Sequence, residues 1–312
     1  MAAAEQQRIR SLREIGTALV LSSGLLALFF FLPFSPDKKE APSPITIATS
    51  TPPNAFAHIH VEAKAATVYD LATGKTLYAK NADAQLPLAS LTKLLTIYTA
   101  LSEFSPDTPI TIPADVMGLD APHAFSPGQV FSLSDLARLT LTASLNDGAA
   151  AIAEATAKRK NETENAMLAG TAAALGLSQT YAVNGNGLDA NTAVSGGYGS
   201  AHDIARLAGA LVERAPEITA ATTQPSAHAV SKEGVSFSVR NTDPIVTTIP
   251  HLLLSKTGYT DLAGGNLALV FDVGIEHPIA VVVLGSSLKA RFTDGAALVA
   301  ATFAHFAGVA SL

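Results

Sequence analysis

An α/β protein of the layered α+β kind is predicted by the order of strand-like and helix-like segments. Strand-like segments lie near both ends of the globular part, and those near the C-terminal end are apolar runs rich in valine, isoleucine, leucine and phenylalanine, as in a buried sheet. Segments with helical spacing or high alanine content lie between them, so we expect helices that flank the sheet and a helical lobe. The expected strands are 65–70, 76–79, 252–255, 267–273 and 279–284, and the expected helices are 91–104, 146–157, 164–175 and 292–306.

Local signals support these elements. A turn-like stretch over 71–75 separates the first two strands, which predicts a β-hairpin. Ser132 and Ser200 are each followed three residues later by an aspartate, a pattern typical of a capping box. We therefore expect two more helices to begin at these serines.

Composition excludes several classes of function. The chain has 312 residues, of which 48% are hydrophobic and 15% charged, with no cysteine and a net charge of −6. Sparse charge without blocks of lysine or arginine disfavours nucleic-acid binding. The lack of cysteine excludes disulfides, thiolate-bound zinc, iron–sulfur clusters and a thiol nucleophile. No His-Glu-x-x-His motif of a zinc peptidase occurs, so we expect neither a metal nor another cofactor.

The N-terminal part is predicted to anchor the chain in a membrane. Residues 15–34 carry no charge and are long enough, as a helix, to span the roughly 30 Å hydrocarbon core of a bilayer. Arginines in segment 1–14 favour a cytoplasmic N-terminus, and an uncleaved anchor is favoured over a cleaved signal peptide, the alternative interpretation. Segment 35–56, rich in proline, serine and threonine, is expected to be an extended linker to a globular domain over 57–312.

Three short motifs carry the functional signal. They are Ser90-Leu91-Thr92-Lys93, Ser144-Leu145-Asn146 and Lys256-Thr257-Gly258. Ser-x-x-Lys alone is weak, because it also occurs at 35–38 and 286–289, whereas the other two motifs occur once each. Residues i and i+3 share one face of a helix, so the Lys93 amine can reach the Ser90 hydroxyl.

These residue types suit nucleophilic catalysis by a serine. A serine hydroxyl is a poor nucleophile until a base takes its proton, and no histidine is an obvious partner for Ser90. Lys93 serves as that base if it is neutral, which burial and a second positive charge from Lys256 would favour. Ser144 and Asn146, two residues apart on a loop between helices, are expected to face the same cleft.

The order and context of the motifs resemble the serine D-alanyl-D-alanine carboxypeptidases, the low-molecular-mass penicillin-binding proteins. The resemblance extends from about residue 59 to 306, and its further landmarks include Gly128-Gln129, Asn146-Asp147, Gly187-Leu188 and Ala263-Gly264. It implies a β-lactamase/transpeptidase-like fold, with an antiparallel sheet flanked by helices and an all-helical lobe. Leu145, Gly148 and Asp243 depart from the family pattern, which affects the expected substrate preference.

The resemblance also implies roles for individual residues. Ser90 would be the nucleophile, Lys93 its base, and Ser144 the relay of a proton to the departing D-alanine. Backbone N–H groups of Ser90 and Tyr259 would form the oxyanion hole. Substrate binding is implied for Asn146, Lys256, Thr257, Gly258, Tyr259 and Arg291, with weaker support from Asp203.

Two of these assignments keep an alternative. Arg291 is placed by the resemblance near the subsite for the substrate carboxylate, but a surface arginine at a helix start is the other interpretation. Asp203 either lies close to the site or simply caps a helix.

The implied activity is removal of the terminal D-alanine from peptidoglycan stem peptides through an acyl-enzyme, with β-lactam antibiotics as covalent inhibitors. A DD-endopeptidase of the same family and a catalytically silent wall-binding module are the alternatives. A β-lactamase is disfavoured, because no glutamate lies between Glu164 and Glu213 to activate a deacylating water. We expect a single-pass protein of the cytoplasmic membrane whose catalytic domain faces outside.

Overall fold

The computed structural model describes residues 2–31 and 54–308, and it divides into two compact units, 1–50 and 51–312. Within the first unit, helix α1 covers Ala2–Phe31. A search of the described residues, α1 included, finds no helix long and apolar enough to cross a bilayer. The end of the expected span, 32–34, and the linker up to residue 53 lie outside the described residues.

The second unit is built on antiparallel strands. They are β1 Ala65–Asp70, β2 Lys75–Lys80, β3 Leu86–Pro87, β4 Pro109–Thr111, β5 Val130–Ser132, β6 Tyr181–Ala182, β7 Gly197–Gly199, β8 Ser226–Val230, β9 Ser236–Arg240, β10 Leu252–Thr260, β11 Gly264–Asp272 and β12 Pro278–Ser286. Five of these strands form the main sheet, in the order β10-β11-β12-β1-β2. Three smaller sheets join β3, β7 and β6 in that order, β4 with β5, and β8 with β9.

Helices cover both faces of the main sheet. They are α2 Thr92–Glu103, α3 Leu133–Ala143, α4 Asn146–Lys160, α5 Glu164–Ala174, α6 Ala201–Arg214, α7 Pro216–Ala221 and α8 Ala290–Phe306. Side chains alternate across a strand, so the apolar runs of β11 and β12 supply two separate cores. Leu267 and Leu269 pack with α8, whereas Ala268 and Val270 belong to the larger core that contains the other helices.

Local signals in the sequence account for several boundaries. The hydroxyls of Ser132 and Ser200 each accept the backbone N–H three residues on, so both serines cap helices as expected. The hairpin of β1 and β2 is held by Asp70, whose carboxylate accepts the N–H groups of Ala72 and Thr73 and lies 3.0 Å from His277 Nε2.

The strand expected over 252–255 was too short. Strand β10 continues to Thr260, because its pairing with β11 extends past Lys256-Thr257-Gly258 to Gly264. The third motif therefore lies inside a strand rather than after it. β10 is also an edge strand of the sheet, which leaves one side of its backbone unpaired by the sheet.

Candidate active site

Ser90 lies on a short 3₁₀ turn, Ala89–Leu91, that leads directly into α2. This places Lys93 one helical turn further along, and its Nζ lies 2.7 Å from Ser90 Oγ. Ala89 has a φ of 48°, a left-handed conformation that is rare for a residue other than glycine. The residue before the serine is thus held in a strained conformation, as is common at functional sites.

The surroundings of Lys93 allow it to act as a base. The side chain is completely buried, and burial lowers its pKa to about 7, while the charge of Asp147 opposes this shift. Nζ also lies 2.8 Å from Asn146 Oδ1 and 2.6 Å from Asn186 O. Both of these oxygens only accept hydrogen bonds, so a neutral amine donates to them and turns its lone pair to the Ser90 hydroxyl.

Asn146 is fixed by the start of α4 and by a neighbouring loop. Its Nδ2 donates to Asp120 O at 2.8 Å and its backbone N–H to Pro122 O at 2.7 Å. The amide oxygen is therefore directed at Lys93. Ser144, just before it, ends α3 in a left-handed conformation with a φ of 60°.

Asp147 holds the loop that carries Asp120 in place. This fully buried carboxylate accepts the N–H groups of Ala124 and Phe125, each at 2.7 Å, and of Gly148 at 2.8 Å. These three backbone donors hold the side chain in place. The loop carrying Asp120 is thereby tied to the motif that contains Asn146.

A second amine–hydroxyl pair joins the strand to the helical lobe. Lys256 Nζ donates to Ser144 Oγ at 2.9 Å and to Thr257 O at 2.7 Å, and its side chain is 1% exposed. Burial lowers the pKa of Lys256 well below its ordinary value, and the charges of Lys93 and Arg291 lower it further. Two buried lysines that repel each other favour a state in which one of them is neutral.

Gly258 allows the strand to lie close to the nucleophile. A Cβ at this position would lie 2.9 Å from Leu88 O and 3.3 Å from Leu91 N, the backbone that surrounds Ser90. Any side chain here would push the two segments apart. The glycine thus allows β10 to lie against the Ser90 turn.

The remaining residues of the strand side have different contacts. Arg291, 7% exposed, donates from Nη1 to Gly258 O at 2.6 Å, so it braces the backbone of the third motif. The Thr257 hydroxyl lies 2.6 Å from that of Thr242. Tyr259 is 47% exposed and lines a pocket of about 500 Å³ beside the site.

A second pocket, of about 420 Å³, lies next to the first and shares Asp120, Leu188 and Asp189 with it. It also includes Asn186, whose carbonyl contacts Lys93. The pair of pockets gives a substrate room next to Asn186 and Tyr259.

The carboxylate of Asp203 forms hydrogen bonds away from the two lysine–serine pairs. Its Oδ2 accepts from Gln179 N at 2.8 Å and from the Thr180 hydroxyl at 2.9 Å, and its own N–H is bonded to Ser200. These bonds tie the start of α6 to the turn before β6. Within the described part of the chain, no hydrogen bond links Asp203 to the two lysine–serine pairs.

Sequence reasoning missed the groups that orient Lys93 and Thr257. Asn186 and Asp120 contribute backbone carbonyls, which carry no signature in a sequence. Thr242 belongs to none of the three motifs, and only its neighbour Asp243 stands out in the sequence as a departure from the family pattern. Across residues 2–31 and 54–308, no group of three or more metal-ligating side chains is found.

A family model described as D-alanyl-D-alanine carboxypeptidase, peptidase family S11, matches residues 48–287. The chain belongs to this family. Membership confirms the expected serine peptidase class, and the helix-flanked antiparallel sheet confirms the expected fold.

Relatives of this S11 chain include both kinds of DD-peptidase. A D-alanyl-D-alanine endopeptidase of Pseudomonas aeruginosa is 30% identical over 81% of each chain. D-alanyl-D-alanine carboxypeptidase DacD of Salmonella typhimurium is 30% identical over 74% of this chain, which spans 60% of that relative's length.

Among solved structures, penicillin-binding protein D2 of Listeria monocytogenes in its ampicillin-bound form is similar with a TM-score of 0.67. The identity is 26%, and the match covers 78% of this chain and 98% of that one. Both sequence and fold thus place the chain among the low-molecular-mass penicillin-binding proteins.

Proposed function

We propose that this chain is a serine DD-carboxypeptidase that removes the terminal D-alanine from peptidoglycan stem peptides. The observation that carries the proposal is the 2.7 Å contact between Ser90 Oγ and the fully buried amine of Lys93, whose pKa is about 7. At neutral pH a large fraction of Lys93 is then neutral and able to take the serine proton.

The acylation step uses the two amine–hydroxyl pairs. The Ser90 proton moves to Lys93 while Oγ forms a bond to the penultimate D-alanine carbonyl carbon. The C–N bond to the terminal D-alanine breaks as its nitrogen takes a proton from Ser144, which Lys256, 2.9 Å away, replaces. N–H groups of Ser90 and Tyr259 are assigned to the oxyanion.

Deacylation reverses these transfers. Water adds to the acyl carbon and gives a proton back to the Ser144–Lys256 pair, while Lys93 returns its proton to Ser90 Oγ as the ester bond breaks. Each lysine ends the cycle in its initial protonation state. The two pairs therefore suffice for general acid and base catalysis by the described residues.

Positive charge near the strand suits the terminal carboxylate of the substrate. Lys256 is a buried residue of the third motif, Arg291 is buried beside it, and Thr257 offers a hydroxyl. Because Lys256 Nζ contacts Ser144, we assign Lys256 to proton transfer and to the positive electrostatic potential around the substrate carboxylate. We assign direct contact with that carboxylate to Thr257. Asn146 would hold the substrate backbone from the opposite wall.

Covalent capture by penicillin tests the proposal. We expect benzylpenicillin to add its mass to the peptide that carries Ser90, and the variants S90A and K93R to lose the adduct. Arginine keeps its charge and cannot accept the proton, so K93R is a matched control for the base. An adduct on another residue, or none on the folded wild-type protein, would contradict the proposal and favour a silent wall-binding module.

The endopeptidase reaction is the second candidate, favoured by the Pseudomonas relative, which matches 81% of both chains. The two reactions differ in the leaving group. The carboxypeptidase releases free D-alanine, whereas the endopeptidase releases the amine of the second stem peptide of a cross-link. Digestion of a pentapeptide and of a cross-linked muropeptide dimer, compared by chromatography, separates them. Faster release of D-alanine supports the carboxypeptidase, and faster loss of dimer supports the endopeptidase.

We further propose that residues 15–34 anchor the protein in the cytoplasmic membrane with the catalytic domain outside, where peptidoglycan lies. Support comes from the uncharged sequence of this segment and the arginines before it. We expect that detergent, but not alkali, extracts the full-length protein from membranes and that its N-terminus is intact. A processed N-terminus would indicate a cleaved signal peptide instead.

A further inference from the structure

Thr242 contacts the residue that is expected to bind the substrate carboxylate. It lies between β9 and β10, and its Oγ1 is 2.6 Å from Thr257 Oγ1. Thr257 is buried, whereas Thr242 is half-buried. No other hydrogen bond is formed by either hydroxyl within the described part of the chain, so this contact decides how the Thr257 proton is oriented.

The backbone around Thr242 is held firmly in place. Its N–H donates to Thr142 O at 3.2 Å, two residues before Ser144. The preceding Asn241 donates from Nδ2 to Thr222 O at 2.7 Å and to Gln224 O at 2.9 Å. The loop is thus fixed to the end of α3 and to the segment before β8, which aims the hydroxyl of Thr242 at β10.

Asp243, the residue after Thr242, also holds this loop in place through hydrogen bonds. Asp243 is buried and accepts the Ser255 hydroxyl at 2.6 Å and the N–H of Ile245 at 2.9 Å. Ser255 lies two positions before Thr257 on the same strand. The departure from the family pattern at Asp243 therefore locks this loop onto β10.

The hydrogen bond between Thr242 and Thr257 can be donated by either hydroxyl. Each hydroxyl has one proton to donate, and a carboxylate only accepts. If Thr257 donated to Thr242, it would present lone pairs to the substrate anion and repel it. A favourable contact with the carboxylate therefore requires that Thr242 donates and that Thr257 keeps its proton for the substrate.

We propose that Thr242 is a positioning residue for substrate recognition, whose hydroxyl orients Thr257 to donate to the terminal carboxylate. This inference rests on the proposed function and names a determinant beyond the three motifs. Thr242 acts through Thr257 and does not need to touch the reacting atoms.

The test compares acylation by benzylpenicillin with acylation by its methyl ester, which lacks the anionic carboxylate. Valine has nearly the shape of threonine without the hydroxyl, so T242V removes the donor alone. We expect T242V to reduce the second-order acylation rate of benzylpenicillin by about three- to tenfold, the range of one hydrogen bond. The rate with the ester should change less than about twofold, and T242S should restore the benzylpenicillin rate.

A double-mutant cycle completes the test. In a T257V background, adding T242V should have no further effect, because its target is gone. Equal losses for penicillin and ester, or additive losses in the double variant, would overturn the inference and indicate a structural role. Absence of acylation in the wild-type protein would instead refute the proposed function, so the two failures are distinguishable.

Discussion

The rate of acylation should follow the protonation state of Lys93 as the pH is varied. With a pKa of about 7 for the buried amine, the neutral fraction is ~9% at pH 6 and ~91% at pH 8. A lysine at the ordinary value of 10.5 would be only ~0.3% neutral at pH 8. The rate should therefore rise about tenfold between pH 6 and 8 and then level off.

Stopped-flow acylation by benzylpenicillin between pH 5.5 and 9 measures this profile. K93R is the control for the base, and we expect it to lose on the order of a thousandfold in rate. Arginine stays protonated over the whole range, so any residual rate should lack the rise. A wild-type rate that grows in proportion to hydroxide up to pH 9, as an unperturbed lysine would give, refutes the reasoning.

Three further predictions use other contacts. D147N should move the rise in rate to lower pH, because the charge of Asp147 raises the pKa of Lys93; an unchanged profile would contradict this. G148A should lower the free energy of unfolding, measured by chemical denaturation, by about 1–3 kcal/mol, because the added Cβ would overlap with Thr140 Oγ1. The double variant G148A/T140A should recover most of this loss of stability. Burial raises the pKa of Asp70, but hydrogen bonds from its histidine partner and from the hairpin turn outweigh burial and leave it below 3.8. D70N should therefore cost about 1–3 kcal/mol at pH 7. That difference should fade as the pH drops through the lowered pKa, and a difference constant from pH 7 to 2 would count against it.

The pairing of Ser90 with Lys93 was accessible from the sequence, because residues three apart on a helix must share a face. Helix starts at Ser132 and Ser200 were accessible for a similar reason, since capping is local. The extent of β10 was not, because strand length depends on the partner β11, which lies later in the chain.

Groups that act through tertiary contacts were the hardest to predict. Asp203 fits a capping box, yet its carboxylate is bonded to a turn more than twenty residues earlier. Lys256 was expected to bind substrate, and only the fold shows that its amine reaches Ser144.

Departures from the family pattern gain a physical explanation from packing. Gly148 compensates for Thr140, whose hydroxyl occupies the space of a methyl group and has no hydrogen-bond partner among the described residues. Leu145 is buried in the large core, so its size serves packing rather than the cleft.

The polar neighbours that bury and orient Lys93 come from positions 53 and 93 residues further along the chain, and Lys256 meets its serine across 112 residues. A nascent or partly unfolded polypeptide therefore holds only an ordinary alcohol and a fully charged amine at positions 90 and 93. Reactivity requires these long-range contacts, so capture of a fluorescent penicillin reports when they have formed during folding.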